Sequence, residues 1–92
     1  MEAKLFRESI GMVLRELRLG QGRTLREVAQ DGHVSLGYLS EVERGHKEAS
    51  SEMLAAIAAS LRVPLWHILR LVARDLAKRD TGGGEANLAR AA

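Results

Sequence analysis

Apolar residues recur along this chain at intervals of three and four, the period of helices that bury one face; no segment alternates as strands do. In the first stretch Phe6, Ile10, Val13, Leu14 and Leu17 share a face, and Gly20-Gln21-Gly22 closes it. A shorter second stretch opens with Thr24-Leu25-Arg26-Glu27, the pattern of a capping box, in which hydroxyl and carboxylate each satisfy an early amide. Its inner face is Leu25, Val28 and Ala29, and Asp31-Gly32-His33 then supplies a sharp turn. Ser35 suits the N-cap of a third helix that runs to about Arg44, where Gly45 stops it. Ser50 or Ser51 caps a fourth, with the stripe Leu54, Ile57, Ala58 and Leu61. Pro64, the single proline, stands where a fifth helix would begin, a position that suits its fixed φ. That helix carries Leu65, Ile68, Leu69, Val72 and Leu76 inward, with Trp66 and Leu71 to the sides. Beyond Asp80 the period is lost. The pattern predicts an all-α, compact five-helix domain over residues 1–79, its last helix at about 64–79, and a flexible tail over 80–92.

The totals narrow this picture. A chain of 92 residues suits one domain. With 3% aromatic residues, the core must be built from aliphatic side chains. No cysteine is present, which removes disulfides and thiolate metal sites and fits a reducing compartment. No apolar run approaches a ~20-residue membrane span, and no signal peptide opens the chain, so a cytoplasmic protein without a membrane partner is expected. His33, His46 and His67 lack metal-ligand spacing. There is no phosphate-binding loop, nucleotide fingerprint, hydrolase elbow or spaced catalytic set, so neither an enzyme nor a cofactor is expected.

What remains is binding. The net charge of +2 permits a nucleic-acid partner, and Arg15, Arg18, Arg23 and Arg26, with Arg44, His46 and Lys47, concentrate positive charge along the first half. A short helix, a tight turn and a second short helix form the helix-turn-helix unit, although ordinary bundle corners share that shape. The wheel of the third helix favours the former. Leu39 and Val42 mark its inner face, while Gly37, Ser40, Glu41 and Arg44 fall opposite. That outer face suits a DNA groove: glycine lets the backbone approach, serine and arginine bond to phosphates or bases, and glutamate accepts from a cytosine amino group. Tyr38, on one flank, can press on a sugar and bond a phosphate, or seal the helix edge as a half-buried ring. Leu36, on the other, can touch a thymine methyl or pack against the turn.

The run GRTLREVA…VSLGYLSEVERG…LAAIAASLRVPL resembles the Xre/Cro-type helix-turn-helix repressors over about Leu5 to Leu71. With KEASSEML following, it looks most like the actinobacterial activators of Clp protease genes, the ClgR group. This resemblance implies a lambda-repressor-like fold whose recognition helix is Ser35 to Arg44. Ser35 would then bond a phosphate, Leu36, Gly37 and Glu41 would read bases, and Arg44 and Lys47 would face the backbone just beyond. Glu43 would be structural, paired with Arg18. Where the family often has glutamine this chain has Leu25, so that phosphate contact would be missing or come from Thr24 or Arg23. His33 stands where a turn glycine is common, which suggests a slightly remodelled turn.

The resemblance also favours a homodimer, with Leu65, Trp66, Ile68, Leu69, Leu71, Val72 and Leu76 of the fifth helix at its interface. Two recognition helices would then meet successive major-groove faces about 34 Å apart on a near-palindromic site. An activator needs a surface for RNA polymerase, for which Arg26, Glu27 and Gln30 are candidates. A protein-interaction module, such as an antitoxin-like partner, is the alternative use of the same fold. Lastly, Ala91-Ala92 resembles the small apolar ends that Clp-type proteases recognise, or is simply a frayed end.

Overall fold

In a computed structural model, which describes residues 5–79, five helices follow one another: α1 (Phe6–Gly20), α2 (Leu25–Asp31), α3 (Leu36–Glu43), α4 (Ser51–Leu61) and α5 (Leu65–Arg79). Local chemistry sets their ends. The Glu27 N–H donates to Thr24 Oγ1 at 3.0 Å and the Thr24 N–H to Glu27 Oε1 at 2.7 Å, closing the capping box of α2. These bonds, the backbone one foremost, hold the Glu27 carboxyl below the usual range, so the cap stays charged at neutral pH. Ser35 caps α3 by accepting from the Tyr38 N–H at 3.1 Å, and Ser50 caps α4 by accepting from the Met53 N–H at 3.2 Å. Pro64 lies just before α5 and accepts from the His67 N–H at 2.9 Å.

The core is aliphatic: Ile10, Val13 and Leu14 of α1 meet Val28, Leu39, Val42, Leu54, Ile57, Leu61, Ile68 and Val72 from the other helices. Helix α1 packs on both α5 and α3, α2 on α3 and α4, and α4 on α5. Among the described residues no single helix is long and apolar enough to cross a membrane. Periodicity misplaced two residues. Phe6 is 55% exposed, because α1 starts there, a full turn before its face reaches the core at Ile10. Leu69, read as inward, is 42% exposed.

Two crossings position α3. Gly11 of α1 lies directly under its C-terminal end: a Cβ there would meet the Val42 carbonyl oxygen and lie 2.6 Å from that of Glu43. Gly45, just past α3, adopts φ 76°, and a Cβ there would stand 3.0 Å from Glu8 Cα. This position needs glycine both for its backbone and for its closeness to α1. In the turn between α2 and α3 the left-handed residue is His33 itself, at φ 56°. A histidine held there costs on the order of 1 kcal/mol.

Candidate nucleic-acid interface

Helix α3 buries Leu39, Val42 and Glu43 and turns Gly37, Ser40 and Glu41 outward. Gly37 falls in its first turn, one residue after the start, and is exposed; a Cβ on it would meet nothing closer than Ser35 Oγ at 3.8 Å. Its glycine is therefore not a requirement of the protomer's own packing. Ser40 and Glu41 are half-buried beside it, and Ser35, Arg44 and Lys47 are exposed. Leu36 packs partly against the core, as does the ring of Tyr38, whose hydroxyl donates to the Glu48 carbonyl at 2.8 Å.

The charged residues of this face are tied together. Arg44 donates to Glu41 Oε2 at 2.8 Å, and His46 Nδ1 lies 3.5 Å from Glu41 Oε1. The hydrogen bond from Arg44, assisted by the charge of its guanidinium, holds the Glu41 carboxyl below its usual range and outweighs the desolvation that opposes it. Glu41 is thus an ionised acceptor at any physiological pH. The loop after α3 is held from two sides, by the Tyr38 hydroxyl and by Arg7, which donates through Nε to the Gly45 carbonyl at 3.0 Å.

Beneath the face, Arg18 grips Glu43 in a fork: Nε donates to Oε2 at 2.8 Å and the second guanidinium nitrogen to Oε1 at 2.9 Å. The remaining nitrogen donates to the Arg23 carbonyl at 3.0 Å. Both side chains are largely buried. The hydrogen bond to Glu43 raises the Arg18 pKa further, against the desolvation that opposes it, so the guanidinium keeps its charge although largely buried. Glu43→Ala would leave a buried guanidinium without its carboxylate, and is expected to destabilise the protein by about 3 kcal/mol. Urea midpoints would measure this; an unchanged midpoint would show that water replaces the carboxylate.

Several residues stand elsewhere than the sequence suggests. Arg23 is turned inward: its guanidinium donates to the Ser60 carbonyl at 2.6 Å, to Gln21 and to Asp31, joining the turn after α1 to α4 and α2. It ties the unit together instead of reaching phosphate. Thr24, by contrast, stands where its capping-box pattern puts it, its hydroxyl oxygen accepting from the Glu27 N–H. In α5, Ile68 and Val72 are 0% and 1% exposed, enclosed in the protomer's own core, so they are removed from the expected dimer surface. Trp66, at 62% exposed, and Leu69 remain open, while Leu65, Leu71 and Leu76 pack partly on the core. Ala91 and Ala92 lie outside the described residues. Sequence reasoning overlooked Gly11 and Arg7 and did not pair His46 with Glu41; a glycine beside Ile10 on the inner face of α1 is the one signal that pointed to a close crossing.

Comparison with known proteins agrees with this geometry. The chain matches the helix-turn-helix family over residues 14–65. It is 51% identical over 89 residues to the transcriptional regulator ClgR of Mycobacterium tuberculosis, covering 91% of this chain and 80% of that protein. The crystal structure of the clp gene regulator ClgR from Corynebacterium glutamicum superposes with a TM-score of 0.81 at 41% identity, covering 98% of this chain and 93% of that one. At 19% identity, and so as fold alone, a restriction-modification controller protein solved as a tetramer on its natural 35 base-pair operator aligns with a TM-score of 0.74, covering 79% and 96% of the two chains. The shared helix-turn-helix and half-identical sequence are those of transcriptional regulators, not enzymes, and the chain belongs to the ClgR group of Xre-type helix-turn-helix regulators.

Proposed function

We propose that the protein binds a near-palindromic operator as a homodimer and activates Clp protease and related stress genes in the cytoplasm. The observation that carries this reading is the outer face of α3, where an exposed glycine stands beside an ionised, partly exposed carboxylate. Leu36, Gly37 and Glu41 face bases, while Ser35, Ser40 and Lys47 lie along the phosphates and Tyr38, its hydroxyl held by the Glu48 carbonyl, seals the helix edge. Trp66 and Leu69 on α5 form the centre of the dimer surface, with Leu65, Leu71 and Leu76 at its edge. The gene set is argued from relatives described as ClgR and as a clp gene regulator. The polymerase contact falls to the exposed Arg26, Glu27 and Gln30 of α2.

Selection of bound sites from random duplex DNA, followed by titration across a salt series, tests the proposal. Affinity for the selected site is expected to fall steeply with salt, because each neutralised phosphate releases a counterion. Glu41→Gln is expected to remove the preference at one base pair per half-site while sparing the salt slope. No binding to duplex DNA at low salt would refute the reading and leave the protein-interaction role.

A further inference from the structure

Resting on the DNA-binding reading, we infer that Arg44 does not read a base itself but is the positioning residue for Glu41, leaving Oε1 as the atom that reads the groove. The two carboxylate oxygens are not equivalent. Oε2 is held by Arg44 at 2.8 Å from one turn further along α3, whereas Oε1 has His46 Nδ1 at 3.5 Å, beyond a good hydrogen bond. An approaching cytosine amino group can therefore bond to Oε1 without breaking the Arg44 contact.

Direct base reading by Arg44 would have to share its guanidinium between a base and Glu41, since one nitrogen is already held by Oε2. A guanidinium turned fully onto a base would leave the carboxylate facing the negative phosphates without that charge beside it. Keeping the pair intact serves two ends. It lowers the repulsion between Glu41 and the DNA backbone, and it restricts the rotamers of a long side chain before binding, so less freedom is lost on the DNA. Surface pairs of this kind contribute little to folding. Their effect here falls on recognition, because Glu41 is 32% and Arg44 62% exposed and the core lies on the other side of the helix.

This assignment predicts non-additivity between two residues that the direct-reading alternative makes independent. Dissociation constants would be measured for the selected operator and for its variants at each base pair, with the wild-type protein, E41Q, R44A and the double variant, after circular dichroism confirms equal folding. E41Q is expected to reduce discrimination at one base pair by about tenfold. R44A should reduce discrimination at that same base pair, lower affinity for all sequences evenly through lost charge, and add no further loss of discrimination in the double variant. Loss of preference at a different base pair in R44A, an unchanged preference, or additive losses would each overturn the inference while leaving DNA binding intact. Absence of duplex binding by the wild-type protein would instead overturn the proposed function, and this inference with it.

Discussion

Gly11→Ala is expected to cost upwards of about 4 kcal/mol, a large share of the stability of a domain of this size. Helix propensity alone says the opposite, since alanine in a helix interior is favoured over glycine by about 1 kcal/mol. The crossing of α1 and α3 reverses the sign. A single added methyl would meet the Val42 carbonyl oxygen and stand 2.6 Å from the Glu43 carbonyl oxygen, closer than Cβ atoms approach other heavy atoms. Both obstacles are backbone, so no rotamer change relieves them, and the helices must separate. Separation would also pull Glu43 away from Arg18 and lift Leu39 and Val42 from the core. Guanidinium titration of the variant measures the loss; a midpoint within experimental error of wild type would mean that α3 can slide without cost.

Gly37→Leu is expected to do the reverse: the protein stays folded, and affinity for the selected operator drops to the level of random DNA, about a thousandfold. Gly37 is open to solvent, and the nearest atom to an added Cβ would be Ser35 Oγ at 3.8 Å, so a side chain there disturbs nothing inside the protomer. Its position in the first turn of α3, not the middle, also reduces its cost to the helix. Gly37→Ala should therefore raise stability by at most about 1 kcal/mol. On the proposed function, the backbone at this point is where the helix comes nearest the base edges, and any side chain holds it away. Thermal unfolding and duplex titration on the same samples separate the two effects. A Gly37→Leu protein that binds the operator normally would place the contact elsewhere on α3.

These two glycines show where sequence reasoning ends. Both are helical and both sit among apolar neighbours, yet one is enclosed by a crossing backbone and the other faces water. Helix boundaries, the capping box at Thr24 and Glu27, and the caps at Ser35 and Ser50 were legible because each depends on residues within four positions of one another. The inner stripes of α2, α3 and α4 were legible for the same reason, the helical period. Local chemistry along the chain was therefore enough for five helices, their order and the helix-turn-helix unit, and the motif run from Ser35 to Gly45 was enough for the family.

Which groups are left for a partner is a matter of tertiary packing. Arg23 looks like any basic residue of a DNA-binding segment, but the Ser60 carbonyl, 37 positions away, takes its guanidinium. Ile68, Leu69 and Val72 share an apolar character, and only the rotation of α5 against α1 and α4 encloses the first and last while exposing the middle one. Arg7 reaches Gly45 across 38 positions, and His46 comes beside Glu41 only because Gly45 reverses the chain at the end of α3. Periodicity and capping are encoded locally, where covalent geometry limits the choices. Burial and partnership are settled when distant backbones meet, because the same side chain is core, clamp or contact surface according to what packs against it.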